Sequence, residues 1–339
     1  MVQNTSEIFV KPVPPATYPV PGTHIAKRQE EIDLDQKLAD GSILVKTKVL
    51  SIDPYMRSRL RAPGFKSYVP EFDQGKPLQN FGVGEVIKAG EGASIKEGSL
   101  VYGTFDFSEY VVFDKDAAAQ LRPFDNKEGL PLSTWVGAAG MPGQTAYVGL
   151  RDIGKPQKGE TIFVSSASGA VGQMVIALAH RAGCKVIACA GSDEKVKILE
   201  DKLGVEYAFN YKTTNIKEFL SKHEYHMYWD NVAGPTLEAV LDTIAVRGRI
   251  IACGAANDYN GEPYGIKNWF NVVTKELFVK GFIVLNCDIG NFYEEIPTAL
   301  AKGEFTKPIE HITKGLDDGE SFLELLKGGN IGKAVISLE

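Results

Sequence analysis

The stretch Thr161–Gly172, which reads TIFVSSASGAVG, constrains the fold of this chain more than any other. An apolar β-rich run leads into small residues and then into Gly169 and Gly172, and the sequence that follows, QMVIALAHRAG, is typical of a helix. This order predicts a strand, a tight turn and a helix whose free N–H groups point at a phosphate. Gly169 would let the backbone approach a pyrophosphate, and Gly172 would let the helix pack on the strand. Ala167 stands where the full fingerprint has its first glycine.

A second apolar run, Lys185–Ala190, follows after the length of a helix. Strand, helix and strand form the unit that the motif requires, so we expect a dinucleotide site here rather than a glycine-softened corner between a strand and a helix.

The tip of this second strand indicates which dinucleotide is bound. Sites for NAD usually carry an acid there, which binds the ribose 2′-hydroxyl. Here the tip reads Ala190-Gly191-Ser192, without an acid, and Lys195 lies just beyond. A neutral tip with a lysine in reach suits a 2′-phosphate, so we expect NADP(H). The alternative for Lys195 is a solvated side chain in the first turn of a helix capped by Ser192 or Asp193.

Length and composition bound the remaining possibilities. A chain of 339 residues is long enough for two domains and a large core. The net charge of −6, without a basic block, argues against nucleic acid and anionic membranes as partners. No apolar run approaches the length of a membrane span, and the polar, proline-rich N-terminus is not a secretory signal.

The cysteines form no CxxC pair and are accompanied by no histidines at metal-ligand spacing, which predicts small buried hydrophobic residues in a reducing compartment. They are Cys184, Cys189, Cys253 and Cys287. We therefore expect a cytoplasmic protein without a metal site.

The pattern of apolar runs predicts two kinds of domain. Short β-rich runs separated by Gly, Pro and Asp in the first 130 residues predict an antiparallel, barrel-like module: Ser42–Ser51, Asn80–Ala89, Ser99–Tyr102 and Ser108–Val112. From about residue 160 to 285, six strands alternate with helices, as in a doubly wound parallel sheet. The last of these strands is expected at Leu277–Leu285. The tail ends in a β-run, Gly332–Ser337, so we expect it to return to the first domain.

Eight motifs in order resemble one family: LSIDPYMRSR, GMPGQTAY, SSASGAVGQ, AGSDEKV, FNYK, DNVAG, RGRIIACGA and GGNIGKAVI. Across most of its length the chain resembles the medium-chain dehydrogenase/reductase superfamily, in its zinc-independent branch of alkenal double-bond reductases and prostaglandin/leukotriene reductases. The resemblance implies a GroES-like antiparallel β-barrel catalytic domain, residues 1–132 and 308–339. It also implies a Rossmann NADP-binding domain, residues 133–307, and a homodimer joined through edge strands near Leu277–Leu285.

The resemblance also bears on metal binding. Zinc dehydrogenases of this superfamily use a Cys, a Gly-His-Glu segment and a further Cys as ligands, and a catalytic zinc needs three such ligands. Here Asp53 stands near the first position and Phe81–Gly84 replaces the histidine segment. We expect no metal.

Contacts to the cofactor are implied residue by residue. Ser168, Gly169, Ala170 and Val171 should hold the pyrophosphate, and Lys195 and Tyr211 the 2′-phosphate. Asn231, Cys253 and Gly254 should line the dinucleotide, together with Met141 and Thr145. Phe282, Ile283, Val284 and Asn330 should hold the nicotinamide end. Asn330 by itself would be interpreted as a turn asparagine.

For the chemistry, the resemblance implies hydride delivery to the β-carbon of an enal or enone and a hydrogen-bond donor on its carbonyl. Tyr259 in CGAANDYN matches the tyrosine that plays this role, and Tyr55 in DPYMR matches a second tyrosine that faces the substrate. From the residues alone, either tyrosine could equally be a packing residue. Thr274 replaces a further tyrosine of the prostaglandin reductases, which argues against lipid substrates.

The sequence therefore predicts an NADPH-dependent reductase of the carbon–carbon double bond in α,β-unsaturated aldehydes or ketones. A quinone or carbonyl reductase on the same scaffold is the alternative among enzymes. A cofactor-binding protein with a structural or regulatory role is the alternative from another class.

Overall fold

Two units make up the chain in the computed structural model, which describes all residues from Met1 to Glu339. We call Met1–Gly137, Glu310–Asn330 and Ala334–Glu339 the antiparallel unit, and Ala138–Ile309 with Ile331–Lys333 the parallel unit.

Fifteen strands occur along the chain. In order they are β1 Val2–Phe9, β2 Ile25–Ile32, β3 Ile43–Ser51, β4 Gln79–Ala89, β5 Leu100–Asp106, β6 Tyr110–Phe113, β7 Arg122–Phe124, β8 Thr161–Val164, β9 Lys185–Ala190, β10 Tyr207–Asn210, β11 Met227–Asp230, β12 Arg249–Ala252, β13 Phe278–Gly281, β14 Glu310–Lys314 and β15 Lys333–Ser337.

Ten α-helices and four other helical turns connect them. The helices are α1 Met56–Arg59, α2 Lys115–Ala118, α3 Met141–Val148, α4 Ala170–Arg181, α5 Asp193–Asp201, α6 Ile216–Leu220, α7 Gly234–Thr243, α8 Asn271–Thr274, α9 Phe292–Ala301 and α10 Glu320–Leu326. The other turns are 3₁₀ at Leu132–Val136, Ala256–Asp258 and Val284–Asn286, and π-helical at Gly149–Gly154. None of the helices has the combination of length and apolar character that crossing a bilayer requires.

The parallel unit contains a six-stranded sheet with the order β10-β9-β8-β11-β12-β13. All five strand pairs are parallel. Read from β8, this is the strand order 3-2-1-4-5-6 of a doubly wound dinucleotide-binding sheet. All four residues of β8 are buried, as expected for a strand that is covered on both faces. The predicted α/β fold with a doubly wound parallel sheet is confirmed.

The antiparallel unit contains a seven-stranded sheet with the order β14-β15-β3-β4-β5-β7, in which β6 also pairs with β3. The pairs of β3 with β4, β6 and β15, and of β5 with β4 and β7, are antiparallel. Its core is built from alternate residues of these strands, among them Ile43, Val45, Val101, Phe105 and Ile336. The predicted antiparallel module is therefore present, and the last strand of the tail belongs to it.

Two elements differ from the sequence predictions. The strand predicted over Leu277–Leu285 is only Phe278–Gly281, because its neighbour β12 ends at Ala252, which pairs with Gly281. The chain then enters a 3₁₀ turn. The hairpin of β1 and β2 was not predicted, since the two strands are rich in polar residues and a proline-containing segment separates them. They nevertheless pair along their whole length, from Val2 opposite Ile32 to Phe9 opposite Ile25.

A buried carboxyl group joins this hairpin to the loop that precedes α10. Glu7 on β1 is 1% exposed, and its Oε1 accepts the backbone N–H groups of Asp317 at 2.7 Å and Gly319 at 3.2 Å. Burial, and then the nearby carboxylates of Asp317 and Asp318, raise the pKa of Glu7 to about 7. The folded protein therefore retains a proton on Glu7 at pH values where the unfolded chain has released it.

We expect Glu7→Gln to stabilise the protein increasingly as the pH rises from about 4.5 to 7. Over this window the wild type loses stability, because the unfolded chain releases the proton of Glu7 while the folded chain retains it. Glutamine keeps the carbonyl acceptor but carries no charge. The gain in unfolding free energy should approach about 3 kcal/mol above pH 7, measured by urea denaturation between pH 5 and 8. The exposed Glu31→Gln on β2 is the control, and a gain independent of pH would contradict the assignment.

Candidate active site

The turn between β8 and α4 leaves the first N–H groups of the helix available to a ligand. Gly169 is the N-cap residue of α4, no side chain caps the helix, and its first turn contains no acid. Ala170 and Val171 are half-buried. An uncapped helix N-terminus attracts anions through its N–H groups and its dipole. The residues predicted to hold the pyrophosphate are therefore of a kind that can accommodate an anion.

Close backbone packing sets the position of this helix. A Cβ atom at Gly172 would lie 2.7 Å from the Cα and O atoms of Ala167 and from the O atom of Ser166, so only glycine fits. Ser166 has a positive φ of 48°, a conformation that glycine adopts more readily. At Gly169 the nearest atom to a Cβ would be the O atom of Ser166 at 3.3 Å, and no other residue comes within 4 Å.

Two residues that sequence reasoning gave no role hold the turn in place. The carbonyl of Ser168 accepts the N–H of Gly332 and the side-chain amide of Gln173, each at 2.8 Å. The Oε1 atom of Gln173 in turn accepts the N–H of Ile309 at 2.7 Å. A Cβ at Gly332 would lie 1.9 Å from the carbonyl oxygen of Ile309. Gln173 lies in the motif SSASGAVGQ and Gly332 in GGNIGKAVI. That both donate to the carbonyl of Ser168 could not be predicted from the motifs.

The tip of β9 gathers the residues predicted for the 2′-phosphate. Ser192 caps α5 by accepting the N–H of Lys195 at 3.3 Å, so Lys195 lies in the first helical turn. Tyr211 follows β10, and its hydroxyl would lie 3.0 Å from a Cβ at Gly191. The neighbouring acid Asp193 accepts the amide of Asn210 at 2.8 Å. The structure thus places Lys195 and Tyr211 at the same strand end.

Asn231 joins the ends of two strands. Its Nδ2 donates to the carbonyl of Ser165 at 2.7 Å, its Oδ1 accepts the indole N–H of Trp229 at 3.0 Å, and its N–H donates to the Ser165 hydroxyl at 3.0 Å. We predicted that Asn231 lines the dinucleotide. These contacts give its side chain a positioning role between β8 and β11.

Beside it, the buried Asp230 organises the loop into α7. One carboxylate oxygen, Oδ1, accepts the hydroxyl of Tyr228 at 2.8 Å and the N–H groups of Val232 at 3.0 Å and Ala233 at 2.7 Å. Ala233 has a positive φ of 58°. Burial raises the pKa of Asp230 from its ordinary value. This carboxyl group therefore stabilises a strained loop.

Cys253 and Gly254 follow β12 and donate their N–H groups to the carbonyl of Asp230, at 2.9 and 3.0 Å. Burial raises the pKa of the Cys253 thiol to about 12, so this thiol is not a nucleophile near neutral pH. Tyr259 follows the 3₁₀ turn Ala256–Asp258 and is half-buried.

The remaining predicted residues of the parallel unit are buried or half-buried. Phe282 packs edge-on against Trp229 with 6.1 Å between ring centroids. Ile283 is half-buried and Val284 is buried. On α3 the Thr145 hydroxyl donates to the carbonyl of Met141 at 2.8 Å.

In the antiparallel unit, Tyr55 immediately precedes α1 and its hydroxyl donates to Oδ1 of Asn80 at 2.5 Å. Burial, and then the carboxylate of Asp53, raise the pKa of Tyr55 well above its ordinary range. Asn330, the other predicted residue of this unit, is buried. Asn80 was not predicted, because an asparagine within a β-run carries no functional signal by itself.

Asp53 is the residue that the sequence resemblance places near the first ligand position of zinc dehydrogenases. Its Oδ2 accepts the Ser51 hydroxyl and, at 2.9 Å, the Nδ2 of Asn80. The chain contains no group of three or more His, Cys, Asp or Glu residues that could hold a metal ion.

Two family models match the chain: zinc-binding dehydrogenase over residues 170–302, and N-terminal domain of oxidoreductase over residues 27–121. A zinc-type alcohol dehydrogenase-like protein of Schizosaccharomyces pombe is 39% identical over 100% of this chain and 99% of its own. The NADP(+)-dependent 2-alkenal reductase of Nicotiana tabacum is 37% identical over 91% of each chain. The crystal structure of CurA in complex with NADPH from Vibrio vulnificus is 30% identical, with a TM-score of 0.88 over 99% of each chain.

The doubly wound parallel sheet and the uncapped turn after β8, together with these relatives, define a dinucleotide-dependent oxidoreductase. With relatives of this identity over its whole length, the chain belongs to the medium-chain dehydrogenase/reductase superfamily, in the group similar to alkenal reductases. The resemblance predicted from the motifs is confirmed.

Proposed function

We propose that the protein is an NADPH-dependent reductase of the carbon–carbon double bond in α,β-unsaturated aldehydes and ketones. The protein is an NADP(H)-dependent oxidoreductase, in keeping with the NADPH complex of CurA and the name of the tobacco relative. The observation that carries the choice of substrate class is the 37% identity to that 2-alkenal reductase over 91% of both chains. The neutral tip of β9, with Lys195 and Tyr211, supports the choice of cofactor.

In this proposal each unit corresponds to one functional domain. The antiparallel unit corresponds to a GroES-like catalytic domain of residues 1–132 and 308–339, and the parallel unit to an NADP-binding domain of residues 133–307. The unit boundaries after Gly137 and Ile309 support this division, although Ile331–Lys333 also belong to the parallel unit.

The cofactor, when bound, supplies the hydride that adds to the β-carbon of the substrate. The task of this chain is to stabilise the negative charge that develops on the carbonyl oxygen, and we assign the donor to the hydroxyl of Tyr259. A donor aimed at a developing enolate is worth about a hundred- to thousandfold in rate. The proton that completes the α-carbon comes from water.

The test of this function is oxidation of NADPH, followed at about 340 nm, with a panel of enals, enones and quinones and identification of the products. A saturated aldehyde or ketone from an enal or enone supports the proposal. An allylic alcohol or a quinol as the sole product would identify the protein as a carbonyl or quinone reductase instead. Tight NADPH binding without any turnover would instead favour a structural or regulatory role.

We expect Tyr259→Phe to lower kcat by about two orders of magnitude, because it removes the proposed donor but keeps the ring. Steady-state kinetics with one enone provide the measurement. Tyr207→Phe, an exposed tyrosine on β10, is the control that should keep the wild-type rate. A wild-type rate for Tyr259→Phe would assign the donor to another group.

Lys195→Ala should weaken binding of NADPH far more than binding of NADH. The lost charge-assisted contact to a 2′-phosphate is worth about 1.5–3 kcal/mol, or roughly ten- to hundredfold in Kd. Cofactor fluorescence titrations measure both constants. Lys197→Ala, which changes an exposed lysine on the same helix, is the matched control. Equal losses for both cofactors would contradict the assignment.

A homodimer formed through β13 is part of the proposal. This strand lies at the edge of the six-stranded sheet and exposes Phe278, and exposed apolar side chains of Phe270, Val273 and Leu285 precede and follow it. An open edge with apolar neighbours readily pairs with another chain. Analytical ultracentrifugation should give twice the chain mass of 36.9 kDa, and Phe278→Glu should reduce it to one chain. A monomeric wild type would exclude this interface.

We also place the protein in the cytosol, as the sequence predicted. All four cysteine thiols are free, and two of them are buried, which suits a reducing compartment. Fractionation of the source cells measures this directly, and recovery in an extracellular or membrane fraction would contradict it.

A further inference from the structure

The hydroxyl of Tyr55 is hydrogen-bonded to a network of buried polar groups. This hydroxyl lies 2.5 Å from Oδ1 of Asn80. The Nδ2 of Asn80 lies 2.8 Å from the carbonyl oxygen of Ser51 and 2.9 Å from Oδ2 of Asp53. Asn80, Ser51 and Asp53 are all less than 5% exposed. Ser51 is the last residue of β3, Asn80 lies in its partner strand β4, and Asp53 follows two residues after the end of β3, so the arrangement is anchored on two paired strands.

The orientation of the Asn80 amide follows from these neighbours. The carbonyl of Ser51 can only accept a hydrogen bond, so the NH₂ group of Asn80 must face it. The carbonyl oxygen of the amide must then face Tyr55, and it too can only accept. The single proton of the Tyr55 hydroxyl is therefore directed at Asn80, and its oxygen retains only the capacity to accept.

We propose that Asn80 is a positioning residue that fixes Tyr55 as a hydrogen-bond acceptor in the active site, so that Tyr55 receives an O–H or N–H from a bound ligand and does not donate to the substrate carbonyl. This inference rests on the function proposed above. Rotating the hydroxyl toward a carbonyl would leave the buried Oδ1 of Asn80 without a donor, which is unfavourable. The raised pKa of Tyr55 keeps its proton in place across the working range of pH.

The hydrogen bond that Tyr55 accepts has one of two donors: a hydroxyl group of the substrate or the amide N–H of the cofactor. Assays of Tyr55→Phe with two enals that differ only in a hydroxyl group next to the double bond distinguish these two donors. A loss confined to the hydroxylated enal identifies the substrate as the source. A higher Kd for NADPH, measured by fluorescence without substrate, identifies the cofactor.

The kinetic test compares Tyr55→Phe, Asn80→Ala and the double variant. Loss of one neutral hydrogen bond should raise KM or Kd about two- to tenfold, with kcat for a simple enone within about threefold. Because Asn80 acts through Tyr55, the double variant should be no worse than Tyr55→Phe alone. A hundredfold fall of kcat in Tyr55→Phe, or effects that multiply in the double variant, would overturn the proposal.

A second measurement does not depend on activity. In one-dimensional proton NMR, the hydroxyl proton of Tyr55 should give a far-downfield resonance that exchanges slowly, and both Tyr55→Phe and Asn80→Ala should abolish it. Tyr225→Phe, which removes another buried hydroxyl bonded to Thr243 at 2.7 Å, should leave it in place. If no enone is reduced, the proposed function has failed. If the wild type lacks this resonance, the proposal that the Tyr55 hydroxyl proton is held by Asn80 is overturned. Tyr55→Phe decides the test even if Asn80→Ala does not fold.

Discussion

The contact of Gly172 with the backbone of Ser166 and Ala167 is the constraint on which the cofactor end of the parallel unit depends. Because no Cβ fits at Gly172, helix α4 lies directly against the turn, and its uncapped N-terminus is held at the carboxyl end of β8. The turn is then oriented from the other side, where Gln173 and Gly332 both donate to the carbonyl of Ser168. A phosphate site made of backbone N–H groups needs such rigidity, since its donors cannot be adjusted by side-chain rotation.

Buried polar groups fix loops and side chains in both units. In the parallel unit, Asp230 and Asn231 satisfy the loop N–H groups, the Ser165 carbonyl and the Trp229 indole. In the antiparallel unit, Asn80 lies between Ser51 and Tyr55 in the same way. A buried donor or acceptor without a partner is costly, so each satisfied network has one favoured arrangement. In the antiparallel unit, that arrangement sets the role that we propose for Tyr55.

Much of the fold was predictable because its signals are local. Strands β8 and β9 lie at the apolar runs that predicted them, from Thr161 and at Lys185–Ala190, since each is a short apolar run bounded by turn residues. The close packing predicted for Gly172 is present, although its contact is with the turn residues Ser166 and Ala167 rather than with β8 itself. The short β13 was not predicted, because its length is set by pairing with β12 rather than by its own residues. The hairpin of β1 and β2 was missed for the same reason: its polar strands are defined by their partners.

The sequence by itself determined the superfamily, the alternating strands and helices of the parallel unit, and the neutral strand tip with Lys195, because these depend on residue types at fixed spacing. Only the tertiary structure decided which side chains meet across distant segments. Gln173 reaches Ile309, and Asn80 reaches Ser51, Asp53 and Tyr55. The direction of a hydroxyl proton follows from such contacts alone, because it depends on which neighbouring atoms can donate and which can only accept.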